Sequence, residues 1–179
     1  NLGFLFTKAI LFRCLLFGLL YTGFSLDVEI DFATPLIGRQ RLAYEMSPGV
    51  FRHELSRART FGFMSDVEKL WKAGLALGAD LTNTVAIGED KIMNREGLRY
   101  EQEFVRHKML DAVGDLSLAG APLLGAYRSY RGGHRLNAMV LQELLSDSAN
   151  WSLVQAPRTR APRSTVSHAS TGLAAAAAE

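Results

Sequence analysis

The sequence predicts an α+β domain, a small β-sheet packed on helices. Three observations predict it: Phe24–Phe32 alternates apolar and polar residues, residues 101–118 carry the longest helical periodicity, and strands and helices follow one another without regular βαβ alternation. The 179 residues, 48% apolar and 21% charged, suffice for one domain with a modest core.

Residues 1–24 are strongly apolar, with four Phe before Gly18 and only Lys8 and Arg13 charged. The uncharged run Cys14–Leu26 is shorter than the ~20 residues of a membrane-spanning helix, and no A-x-A cleavage site follows it. The stretch reads as a strand or helix of a larger core, or as sequence unrelated to the rest; membrane contact through residues 1–24 is not favoured. The chain opens on Asn1 rather than Met, which reads as a fragment or a processed product.

In Phe24–Phe32, residues Phe24, Leu26, Val28, Ile30 and Phe32 share one face and Ser25, Asp27, Glu29 and Asp31 the other, a strand with one wet side. Thr34-Pro35 ends it, and Arg41–Met46 can form a second short strand. Ser47 as cap with Pro48 in the first position predicts a helix through Phe51, Leu55 and Ala58 toward Phe61. Asp66 opens a further helical pattern with Val67, Leu70 and Trp71, closed by Gly74. Val85–Ile87 and Lys91–Met93 read as short strands around Gly88-Glu89-Asp90. Glu101–Leu118 is a helix stopped by Gly120 and Pro122. Leu123–Tyr130 then reads as a strand, Gly132-Gly133 as a tight turn and Leu136–Leu145 as the last helix. After Trp151 little remains to bury, and a disordered tail is expected. The division is therefore residues 1–20, an apolar segment of unknown role; 21–150, the folded domain; and 151–179, the tail.

The formal charge of +2 belongs to the ends: Arg158, Arg160 and Arg163 in the tail, Lys8 and Arg13 at the start. The middle is slightly acidic, which argues against nucleic-acid binding by the folded part. Cys14 is the sole cysteine, so an intramolecular disulfide and a Cys-rich zinc module are excluded.

The residues that can carry chemistry lie in EFVRHKMLDAVGDLSL. Val105, Met109, Ala112 and Leu116 share one face of the helical wheel; His107, Asp111 and Asp115, at four-residue steps, share roughly the opposite one. His107 and Asp111 could present a nitrogen and an oxygen to one cation, donors that zinc accepts. The competing reading is a solvated face with an i,i+4 pair. Phe104 and Leu118 bracket the stripe, so something could cover it, and Arg131-Gly132-Gly133-His134 brings a second histidine on a glycine-rich turn. His53-Glu54 lacks the second histidine of H-E-x-x-H, and neither a phosphate-binding loop nor G-x-S-x-G is present.

Taken together, GFSLDVEIDF (23–32), SRARTFGFMSDVE (56–68), GLALG (74–78), NREGLRYEQEFVRHKMLDAVGDL (94–116) and GGHRLN (132–137) resemble the C-terminal half of the UDP-3-O-acyl-N-acetylglucosamine deacetylases, zinc amidases of lipid A biosynthesis. The resemblance runs in order from about Tyr21 to Asp147. It implies the second of two similar α+β domains, with the active site between them, in a cytoplasmic enzyme acting on a UDP-3-O-acyl-N-acetylglucosamine-type substrate. It further implies that His107 and Asp111 are two of three Zn2+ ligands, and that His134, paired with Asp115, stabilises the oxyanion or protonates the leaving amine. On the same resemblance Thr60 hydrogen-bonds the tetrahedral intermediate, and Lys108 lies beside the metal where substrate binds. Phe61, Phe63 and Val67 line the acyl passage, Arg131 faces the nucleotide diphosphate, and Gly133 is a further substrate-binding residue.

The family's remaining zinc-ligand histidine and its general-base glutamate belong to the first domain, and residues 1–20 resemble nothing in it. The expectation is a chain that binds zinc weakly and is inactive alone, its first domain coming from upstream sequence or a separate chain. Asp80 stands where the family usually has small residues along the acyl passage, and there it would need to turn outward. A non-catalytic lipid- or nucleotide-binding subunit, and a truncated product without a role, stay open as alternatives.

Overall fold

The computed structural model describes the backbone of residues 2–6, 8–11 and 14–17, and residues 23–155 in full except for the side chain of Glu68. The apolar start forms strands β1 (Leu2–Phe6), β2 (Lys8–Leu11) and β3 (Cys14–Phe17). The alternating segment is β4 (Phe24–Asp31), followed by β5 (Arg39–Glu45). A single α-helical turn, α1 (Pro48–Val50), continues as π-helix over Phe51–Leu55; then come β6 (Thr60–Phe63), α2 (Met64–Lys72) and β7 (Thr84–Ile87). The long helix α3 (Glu103–Ser117), β8 (Leu123–Tyr130), α4 (His134–Ser146) and β9 (Trp151–Gln155) complete the order.

Strand β8 organises the sheet. One edge pairs parallel with β4, Phe24 opposite Gly125 through Glu29 opposite Tyr130, and β5 adds antiparallel beyond β4. β8 also pairs parallel with β1 at Leu123 and Leu124 and antiparallel with β3 from Ala126 to Ser129; β2 then flanks β3 and β9 flanks β1. A separate two-stranded parallel sheet joins β6 to β7. The α+β class follows: α3 connects the parallel pair β4 and β8 from a distance and packs its apolar face on the sheet. Phe104, Val105, Met109, Ala112 and Leu116 meet Leu26, Val28 and Ile30 of β4 and Tyr127 of β8 in one core. Burying side chains of this size contributes roughly 1.5–3 kcal/mol each.

Several boundaries differ from expectation for identifiable reasons. Ser47 does cap its helix, accepting from the Val50 amide at 3.1 Å, but the helix ends at Leu55 rather than reaching Ala58. The chain leaves it because Phe61 is drawn edge-on to Phe104 and Phe32 while its backbone pairs with β7. Lys91–Met93 makes only one bridge, Ile92 to Ile87. The turn after β8 is made by Arg131 at φ 50°, not by its glycines; Gly133 is extended, and α4 begins at His134, two residues before Leu136. Trp151–Gln155 is a strand rather than the start of a tail: antiparallel backbone pairing with β1 holds it although several of its side chains face water. Residues 156–179 lie outside the described residues. Among the described residues no helix is long and apolar enough to cross a membrane.

Candidate metal and acid–base site

The stripe of α3 survives folding as a cluster. His107 Nδ1 lies 3.4 Å from the Ala58 carbonyl oxygen, and its Nε2 lies 3.3 Å from Asp111 Oδ1. Carbonyl and carboxylate oxygens only accept, so a neutral imidazole satisfies one and turns a lone pair on the other. With the proton on Nδ1, facing Ala58, Nε2 and Asp111 Oδ1 converge as two donors on one point. Burial draws the His107 pKa below its ordinary value, outweighing the opposing pull of Asp111, and the neutral ring is the form that ligates metals. The second oxygen of Asp111 accepts from Lys108 Nζ at 2.9 Å. An imidazole nitrogen and a carboxylate oxygen are donor types that zinc accepts, and two of them are fewer than the three protein ligands of a catalytic zinc site. Among the described residues no set of three or more His, Cys, Asp or Glu side chains converges in this way.

The second histidine joins the same cluster from the first residue of α4. His134 Nδ1 sits 2.9 and 3.0 Å from the two oxygens of Asp115, and its Nε2 sits 3.8 Å from Asp111 Oδ2. Asp115 also accepts from Asn137 Nδ2 at 2.7 Å, and Asn137 Oδ1 accepts from the Tyr127 hydroxyl at 2.6 Å. The relay Tyr127–Asn137–Asp115 therefore begins in the buried core and ends on a histidine that is largely exposed. The acceptor-only carboxylate sets the Nδ1–H tautomer of His134 and leaves the lone pair on Nε2. Neither Asn137 nor Tyr127 was singled out in the sequence. Asn137 could have been found as i+3 from His134 on one helix face; Tyr127, on a distant strand, carried no local signal.

The other predicted residues surround this centre. Thr60 is exposed at the head of β6, between Ala58 and Phe61, both of which touch His107. Phe61 stacks edge-on against Phe104 at 5.0 Å and His107 at 6.1 Å between centroids, with Lys108 Nζ 5.5 Å from its own ring centre. Phe63 packs on Phe32, and Val67 is half-buried on α2. Beyond Val67, the side chains of Leu70, Trp71, Leu75, Leu77 and Leu81 are exposed. Lys108 and Arg131 line one cleft of about 280 Å³ with Asp31 and Phe32. The Gly133 carbonyl accepts from the Asn137 amide at 2.9 Å, and open space surrounds its α-carbon.

The expected bracket over the stripe does not form. Phe104 is drawn into the core by Phe61, whereas Leu118, past the helix end, is 77% exposed. Asp80 is exposed, its carboxylate occupied by the Thr82 and Asn83 amides. Glu54 serves structure: it accepts from Tyr44 and Arg106.

Comparison with known proteins points to one family. Residues 17–146 match the family model described as UDP-3-O-acyl N-acetylglycosamine deacetylase. Proteins named UDP-3-O-acyl-N-acetylglucosamine deacetylase from Brucella ovis, Brucella suis and Brucella melitensis are each 58% identical to it over 137 residues. Those residues are 76% of this chain and 48% of each relative, so the chain spans about half the length of the curated relatives it matches.

Proposed function

The chain belongs to the UDP-3-O-acyl-N-acetylglucosamine deacetylase family, and from that premise we propose that it supplies the second domain for zinc-dependent hydrolysis of the N-acetyl group of UDP-3-O-acyl-N-acetylglucosamine. The observation that carries the reading is the meeting of His107 Nε2 with Asp111 Oδ1 at 3.3 Å, with His134 Nε2 3.8 Å from the other oxygen of Asp111. His107 and Asp111 would hold Zn2+. When bound, zinc supplies an activated water at neutral pH and polarises an amide carbonyl.

The rest is the work of this chain's own side chains. Asp115, held by Asn137, orients His134 so that Nε2 faces the reacting amide, where it stabilises negative charge or delivers a proton to the leaving amine. Thr60 donates to the tetrahedral intermediate. Lys108 and Arg131 share a cleft in which two cations suit a diphosphate, and Gly133, with open space beside its α-carbon, leaves room for close approach of substrate. Phe61, Phe63 and Val67, followed along the chain by exposed Leu70, Trp71, Leu75, Leu77 and Leu81, suit an acyl chain.

The domain occupies residues 21–150 in this reading, in a cytoplasmic enzyme. The third zinc ligand and the general base come from a first domain, upstream in sequence or on a separate chain. The test is complementation: assay the chain alone, then with the N-terminal half of the Brucella ovis relative added in trans. No turnover alone is expected, and turnover on addition that disappears with His107→Ala, Asp111→Ala or His134→Ala. Full turnover by the chain alone would overturn the role given to the first domain. Indifference of the complemented enzyme to those three substitutions would overturn the site.

A further inference from the structure

The most heavily hydrogen-bonded acid among the described residues lies one helical turn above His107. Glu103, fully buried on α3, accepts at Oε1 from the Arg59 backbone amide and from Arg59 Nε, both at 2.9 Å. Its Oε2 accepts from Arg59 Nη2 at 3.1 Å and from the Arg99 amide at 2.6 Å. The Arg59 guanidinium, 1% exposed, reaches on to Glu96 and to the Gly97 carbonyl, each at 2.7 Å. A buried pair of this kind stabilises little by itself relative to apolar side chains, so its placement calls for another account.

The placement is specific. Arg59 N–H and Ala58 C=O are the two polar ends of one planar peptide group. The N–H end is tied to Glu103, and the C=O end faces His107 Nδ1 at 3.4 Å. Glu103 and His107 are four apart on α3, so this one peptide lies along a single helix face and bridges consecutive turns. We propose that Glu103 and Arg59 are positioning residues: they pin the Ala58–Arg59 peptide so that its carbonyl holds the His107 ring with Nε2 aimed at Asp111. This deepens the proposed function and rests on it only where zinc is concerned. Partners beyond a ligating histidine commonly set its ring orientation and change metal affinity when removed.

The test uses the full 15N-labelled chain, first without metal and then titrated with Zn2+. In the wild type the Arg59 amide is protected from exchange, and His107 ring protons show contacts to Phe61 from one ring orientation. Glu103→Gln exposes the Arg59 amide, lets the ring sample both orientations and lowers zinc affinity about 10- to 100-fold. Should that variant not fold, Arg59→Lys, which keeps the cation and loses the planar fork, is read the same way, with a loss of about tenfold expected. Leu144→Ala truncates the core at the far end of α4 and is the control for general loosening; it leaves ring orientation and zinc affinity unchanged. A folded Glu103→Gln or Arg59→Lys chain with wild-type ring contacts overturns the proposal, as does a Leu144→Ala chain that loses the orientation equally. A wild type that binds no zinc, but whose ring orientation depends on Glu103, upholds the positioning role and counts against the zinc reading alone.

Discussion

Helix α3 carries two polar clusters that differ in how completely they are satisfied. At its first turn Glu103 accepts four hydrogen bonds and lies out of water. Two and three turns later Asp111 and Asp115 lie partly open, and His107 and His134 bring ring nitrogens toward them. The first cluster has no valence left for a ligand. The second has donors aimed at a common point and room beside it. Charge and burial alone would have ranked Glu103 as the more unusual acid; open valence separates a site from a scaffold.

The comparison can be broken most directly at the saturated end. Glu103→Ala takes the buried carboxylate from Arg59, leaving Glu96 and the Gly97 carbonyl as its partners, and is expected to cost about 3 kcal/mol, read as the shift of a urea unfolding midpoint. The same cluster sets an acid limit. Burial pushes the Glu103 carboxyl up, but the hydrogen bonds from Arg59 and Arg99 together hold it below its ordinary 4.5. Its folded pKa is thus the lower one, so its contribution is fully present above about pH 4.5 and fades as pH falls through the folded value. Stability measured from pH 7 down to 3 should fall below that point in the wild type and fall less steeply in Glu103→Gln.

Between the two clusters stands the relay. Tyr127→Phe leaves Asn137 Oδ1 without its hydroxyl donor inside the core, an expected loss of roughly 1–3 kcal/mol. In the complemented enzyme the same change should lower kcat more than it raises KM, because it acts through the orientation of His134. At the open end, Asp111→Asn keeps the shape and an acceptor oxygen and should cost less stability than Glu103→Ala, while zinc binding, measured by calorimetry, is lost. A large stability loss there would erase the contrast. The smallest effect is expected at Arg131. Its left-handed backbone (φ 50°) costs roughly 1–2 kcal/mol, which Arg131→Gly relieves at an entropic cost of roughly 0.5–1 kcal/mol. The melting temperature should barely move while KM rises.

Much of this was legible locally. Strand β8 matches its expected limits, α3 keeps its core at Val105, Met109, Ala112 and Leu116, and the stripe residues meet as their spacing implies. Other elements were not legible. The start of β6, up to Phe61, read as the end of a helix because its partner strand lies about twenty residues further along the sequence. Trp151–Gln155 read as a tail because its pairing is with the opposite end of the chain. The stripe itself extends one turn further than its polar pattern suggested, to Glu103. A step of four residues overshoots a full helical turn by about 40°, so a row at this spacing winds around the helix. Glu103 is thereby turned into the core, and Asp115 is turned toward α4.

By itself the sequence determined the local periodicities, the helix stops and the set of residues available for chemistry, because these depend on neighbours a few positions apart. The tertiary structure alone decided which of those residues are saturated and which stay open. That required the Ala58–Arg59 peptide beside α3, Tyr127 beneath Asn137 and His134 opposite Asp115, contacts made across long stretches of chain. Hydrogen-bond valence is filled by whatever lies within about 3 Å, and sequence separation sets no such distance.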